Sequence, residues 1–137
     1  MVAPALFSAK RPDWPTPPEL VPPDVDLDVC ATPENAKAPR FFTPEQNGLV
    51  QPWDARHAWC NPPYGRGVGA WLAKGWEEWC SGRARRVTFL LPARTDTRWW
   101  HEYVEGRASV KFLRGRVRFV GAPGPAPFPS VLVTYAG

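Results

Sequence analysis

The sequence predicts an α/β domain with a mostly parallel central sheet and a late antiparallel hairpin. Three features carry that expectation. Short apolar runs end abruptly in proline or charge, as strands do; one amphipathic stretch of helical period lies between two of them; and the last apolar runs are separated by glycine-proline turns. A strand, a helix and a second strand in succession form a βαβ unit, which places the two strands parallel. The chain has 137 residues, the size of one domain, expected over residues 13–137 behind a flexible arm at 1–12. A hydrophobic share of 44% with eight tryptophans and seven phenylalanines argues for a packed core even with 18 prolines.

In chain order, Pro17-Pro18-Glu19-Leu20 reads as a short helix start with Thr16 as its cap, because threonine caps well and proline is tolerated in a first turn. Residues 25–30 alternate Val25, Leu27 and Val29 with Asp26, Asp28 and Cys30, as a strand would. Asp28 falls near its carboxyl end, where open α/β sheets bind ligands. No Gly-x-Gly follows, which disfavours a phosphate-cradling loop. Residues 34–51 read as a polar passage broken by Pro39, Pro44 and Gly48. A strand at 57–60 then leads into Asn61-Pro62-Pro63-Tyr64.

The clearest helix is 68–80, where Leu72, Trp76, Trp79 and Cys80 share one face and Lys74, Glu77 and Glu78 take the other; Ser81-Gly82 closes it. Residues 86–91 are nearly continuously apolar, as in a strand covered on both faces, and Pro92 to Arg98 follow at its carboxyl end. Residues 99–104 read as a second helix, and 110–113, 117–120 and 131–135 as late strands, with a rigid loop at 121–129.

A net charge of +4 fits an anionic partner. The cysteines Cys30, Cys60 and Cys80 are odd in number and widely spaced, which supports neither a disulfide framework nor a metal site and predicts buried, reduced thiols. No run approaches the ~18 apolar residues of a membrane span, and the start of the chain is unlike a signal peptide, so an intracellular, cytoplasmic protein is expected.

The tetrapeptide is the stretch that suggests chemistry. Two prolines donate no backbone N–H and hold the chain extended, so a strand ends there in a rigid turn that can aim the Asn61 amide and the Pro62 carbonyl. Tyr64 offers a flat ring. Such acceptors beside an aromatic plane suit a planar heterocycle with an exocyclic amine.

Asn61-Pro62-Pro63-Tyr64 resembles the catalytic tetrapeptide of amino-directed methyltransferases. The wider pattern includes Trp14-Pro15-Thr16-Pro17, Leu27 to Ala31, Asn35-Ala36-Lys37, Asn47-Gly48-Leu49, Leu90 to Thr97 and Gly115-Arg116. Over residues 13–135 it resembles the small phage-type DNA N6-adenine methyltransferase family. That resemblance implies a reduced Rossmann-like methyltransferase domain, S-adenosylmethionine as methyl donor without a metal, and DNA as partner, either double-stranded with base flipping or single-stranded. It also implies a phage or prophage origin. It assigns catalysis to Asn61, Pro62, Pro63 and Tyr64, and donor binding to Trp14, Thr16, Pro17, Asp28, Cys30, Ala31, Asn35, Asn47, Leu49 and Asn61. Asn47 stands where many relatives have Asp. Arg66, Arg94, Thr95, Arg98 and Arg116 are the candidate nucleic-acid contacts, Arg94 foremost because it sits on the rim of the tetrapeptide. Transfer to cytosine N4, to RNA adenine or to a protein glutamine is the alternative chemistry. A non-catalytic nucleic-acid-binding module, with Trp53, Trp99 and Trp100 as stacking groups, is the alternative class.

Overall fold

The computed structural model of the protein describes residues 15–137, so the arm expected at 1–12 and Trp14 lie outside the described residues. Among these residues six strands form one sheet: β1 (Leu27–Asp28), β2 (Arg40–Phe41), β3 (Ala58–Cys60), β4 (Arg86–Pro92), β5 (Ser109–Phe112) and β6 (Ser130–Ala136), in the order β2-β1-β3-β4-β6-β5. Pairing is parallel from β2 through β4 and antiparallel where β6 meets β4 and β5. The molecule is thus mixed α/β, with few helices.

The βαβ unit is as expected. Helix α1 (Val68–Cys80) follows β3 and returns the chain to β4, parallel to β3 with Cys60 opposite Phe89. Gly82 ends the helical turn at φ 82°, a conformation that costs glycine little. A Cβ on Gly75 would lie 2.5 Å from the Phe89 ring, so the absence of a side chain there lets α1 seat on β4. Leu72, Phe89, Leu90, Leu91, Val131 and Val133 are fully buried, each side chain contributing about 1.5–3 kcal/mol.

One face of α1 differs from expectation. Glu78 is fully buried rather than on the outer face, while Cys80 is exposed. The Glu78 carboxylate accepts from the Trp53 N–H and from Arg83, whose Nη2 lies 2.6 Å away. Burial works against the charge, but these donors together hold the carboxyl below its usual range. Trp53 itself is fully buried and donates Nε1–H to the Gly48 carbonyl at 2.8 Å, which makes it core.

Other boundaries move as well. Only Leu27–Asp28 of the expected 25–30 strand is paired as a ladder, flanked by single bonds from Asp26 N to His57 O and from Val29 N to Trp59 O. The passage at 34–51 holds the edge strand β2 and a 3₁₀ turn at Gly48–Val50. Residues 117–120 form no strand; Val117 and Phe119 are buried from an irregular segment in which Ala126 N donates to Val117 O. The second helix is a π turn at Trp100–Val104. Thr16 does not cap the 3₁₀ turn Pro18–Leu20, whose cap position is Pro17 without a side-chain bond. Strands β5 and β6 are antiparallel as expected, joined by the long 113–129 passage rather than a tight turn. No helix among the described residues is long and apolar enough to cross a membrane.

Candidate active site

The sheet order reverses between β1 and β3: from β1 the chain next adds β2 on one side, then β3 on the other. In open α/β sheets the crevice outside the carboxyl ends of two such strands is where ligands bind. Here those ends carry Asp28 and Asn61. A narrow cleft with about 10 Å³ of free volume lies between them, lined by Pro15, Thr16, Asp28, Cys30, Asn35, Lys37, Trp59 and Asn61.

Asp28 is 3% exposed. Its Oδ1 accepts from Cys30 N at 3.2 Å and its Oδ2 from Lys37 N at 2.9 Å. Desolvation outweighs those bonds and the Lys37 charge, and pushes the carboxyl up to about 6. Cys30, at the same strand end, is pushed up to about 12 by burial and by Asp28, so it lines the cleft as a neutral thiol. Asn35 folds back to accept the Thr32 N–H at 2.8 Å. Lys37, Pro15 and Trp59 line the cleft in addition to the residues the sequence predicts; Pro15 and Lys37 belong to the Trp14–Pro17 and Asn35–Lys37 motifs, which is the signal the sequence carries for them.

Asn61 follows β3 directly. Its Nδ2 donates to Thr16 Oγ1 at 2.9 Å, and Thr16 is only 2% exposed. That bond leaves Oδ1 as the acceptor of the amide. The segment before the first 3₁₀ turn thus orients the tetrapeptide as well as lining the cleft.

Tyr64 is placed differently from the open platform expected. It is 6% exposed, and its hydroxyl donates to the Leu90 carbonyl at 3.1 Å, just past the residue where β3 stops pairing with β4. Phe119 and Phe128 meet its ring edge-on, with centroids at 6.3 and 5.6 Å. The 113–129 passage therefore covers the tyrosine in this conformation. It is also tied to the cleft, because Val120 N donates to Pro15 O at 3.0 Å.

Pro17 and Ala31 are buried beside the cleft without lining it, and Ala31 N donates to Phe42 O. Asn47 and Leu49 stand farther along: Asn47 adopts φ 58° and its side chain accepts the Leu49 N–H at 3.1 Å, capping the Gly48–Val50 turn. Arg66 and Arg94 are exposed and line one cleft beside Gly65 and Pro92; Arg94 sits 5.9 Å above the Phe128 ring. Arg98 is exposed and lies 3.9 Å from Glu102. Thr95 and Arg116 are exposed, and neither lines these clefts. Of the three tryptophans offered as stacking groups, Trp53 and Trp100 belong to the core and Trp99 is half-buried.

A protein of Haemophilus phage HP1 named DNA N-6-adenine-methyltransferase is 31% identical over 96 residues, which cover 69% of this chain and 54% of that relative. The chain thus spans about half the length of the curated relative it matches. Residues 7–126, a stretch that takes in the cleft, the tetrapeptide and most of the passage over Tyr64, match the family model described as DNA N-6-adenine-methyltransferase (Dam), and the chain belongs to that family.

Proposed function

We propose that this protein transfers a methyl group from S-adenosylmethionine to the exocyclic N6 amine of adenine in DNA. The observation that carries the reading is the pairing of Asn61, oriented by Thr16, with buried Asp28 across the point where the sheet order reverses. Family membership and the name of the phage relative support it. The parallel run from β2 to β4, with its single crossover helix, supports reading the sheet as a reduced Rossmann-like domain in which short turns replace the other helices.

The polar residues of the cleft suit the amino-acid and sugar groups of the donor. Asp28 is a buried carboxylate with lone pairs left for an ammonium or a hydroxyl, and Lys37 supplies the opposite charge. With only about 10 Å³ free, the cleft is nearly closed in this conformation, far below the ~300–1,000 Å³ of common ligand sites, so donor binding requires it to widen. When bound, the donor would supply an electrophilic methyl group on a sulfonium: the N–CH₃ bond forms as the S–CH₃ bond breaks, the sulfur keeps the electron pair as a neutral thioether, and the proton displaced from the amine passes to solvent. No nucleophilic side chain is required.

The protein's task is to position the amine and stabilise the charge that develops on it. The adenine amine is a weak nucleophile because its lone pair is delocalised into the ring. Asn61 Oδ1 and the Pro62 carbonyl each accept one of its hydrogens, which favours a tetrahedral nitrogen with its lone pair aimed at the methyl group. Pro63 keeps the turn rigid. The base reaches this position only when flipped out or already unpaired. Stacking on Tyr64 then requires the 113–129 passage to withdraw Phe119 and Phe128 from the ring.

The test is transfer of a labelled methyl group from S-adenosylmethionine to DNA, RNA and protein in parallel, with the product base identified. Label on adenine N6 of DNA is the expected result. Label confined to cytosine, RNA or protein would replace the substrate assignment, and absence of transfer despite donor binding would remove the catalytic reading.

A further inference from the structure

Two open clefts run side by side between α1 and the π turn, of about 350 and 370 Å³. Arg66 and Trp99 line both, so the two are one continuous trough. It starts at Gly65, directly after the tetrapeptide, and runs along α1 past Gly69, Ala70 and Ala73. The floor is small and the walls are not. A Cβ on Gly69 would lie 3.4 Å from Trp99 Cβ, so the helix is in contact with the base of that side chain. Among the described residues, three guanidinium groups edge the trough, from Arg66, Arg94 and Arg98, against the one carboxylate of Glu102, which lies 3.9 Å from Arg98.

We propose that this trough binds the DNA strand next to the target base, with the Trp99 indole stacking on a neighbouring nucleobase and the three arginines on its phosphates. The proposal rests on the adenine-methyltransferase reading for the identity of the strand. An electropositive channel with an aromatic side chain is how single strands are held without regard to sequence, because every base offers a π face. The small floor leaves room for the stacked base. Opening at the tetrapeptide gives a strand with a flipped or unpaired adenine a path onward, and the excess of positive charge favours a polyanion over an apolar peptide.

The experiment uses the full chain. A fluorescein-labelled, mixed-sequence single-stranded oligodeoxynucleotide is titrated by anisotropy at several salt concentrations, with calorimetric titration of S-adenosylmethionine alongside. Trp99→Ala should weaken oligonucleotide binding by about 5- to 160-fold, and Trp99→Phe should recover most of it. Arg98→Ala should lower the salt slope by about 0.7. Ala70→Glu changes an exposed helical position to another good helix former. It adds negative charge to the trough, so it should weaken binding with thermal stability unchanged. Donor affinity should stay at the parental value throughout. Parental oligonucleotide affinity in both Trp99→Ala and Ala70→Glu would overturn the proposal, as would equal loss of donor affinity in a folded Trp99→Ala. A parent chain that binds the oligonucleotide through Trp99 yet methylates no DNA would retire the methyltransferase reading and leave the trough standing as a binding site.

Discussion

Asn61 Nδ2 donates to Thr16 Oγ1 at 2.9 Å, across 45 positions of chain, and this contact fixes which end of the amide can accept. A free asparagine amide can turn over and present its NH₂ group instead. Thr16→Val removes the acceptor while keeping the shape, so the amide loses its orientation. We expect kcat to fall about 10-fold or more, by a larger factor than donor affinity, and Thr16→Ser to retain the parental rate. In an Asn61→Ala background the Thr16→Val change should have no further effect on kcat. Single-turnover rates of the four variants check this.

Asp28 gives the cleft a pH dependence. Its folded value of about 6 lies above its ordinary 3.8, so the folded chain binds the proton more tightly than the unfolded one. The favourable contribution is complete below the unfolded value and is lost as pH rises through about 6, by up to ~3 kcal/mol. The ligand-free parent should therefore gain Tm relative to Asp28→Asn as pH falls from 7 toward 5. Donor affinity should move the other way and weaken below pH 6, because the protonated acid no longer attracts a cation. Thermal melts and donor titrations across that range check both signs.

Tyr64 is held by its hydroxyl as well as its ring. Tyr64→Phe leaves the buried Leu90 carbonyl without its donor and should cost about 1–3 kcal/mol of stability, with kcat largely kept. Phe128→Ala removes one of the two rings packed edge-on against Tyr64, so it should lower the stability of the ligand-free chain and raise affinity for unpaired adenine. Denaturant titration paired with oligonucleotide binding separates the two effects.

Glu78 predicts a purely structural loss. Glu78→Ala strands the buried Trp53 N–H and releases Arg83, at about 2–3 kcal/mol, and should leave kcat at the parental value at temperatures where the variant is folded. A melt and a rate measured on one preparation decide it.

What the sequence disclosed follows from the range of the forces involved. The boundaries of α1 and the buried run of β4 were legible because a 3.6-residue period, a closing glycine and an unbroken apolar run are local signals. Strand β2 was not, because Arg40 and Phe41 carry no period and pair only where β1 offers an edge. Glu78 read as an outer-face residue because its partner Trp53 N–H lies 25 positions away. Thr16 read as a helix cap for the same reason: the local rule could not see that Asn61 takes its hydroxyl. Within the site, Asp28 was legible from its place near a strand end and Asn61 from the tetrapeptide, and topology brings the two together at one cleft. The covering of Tyr64 by Phe119 and Phe128 depends on an irregular passage with no periodic signature.

The most direct test of the account is single-turnover methylation of an adenine-containing duplex by the parent and by Asn61→Ala, with donor affinity measured on the same samples. Loss of a preorganised group that acts mainly in the transition state should lower the rate by about 10²–10³-fold, or ~3–4 kcal/mol, well beyond any loss of donor affinity. A folded Asn61→Ala protein that methylates at the parental rate would contradict it.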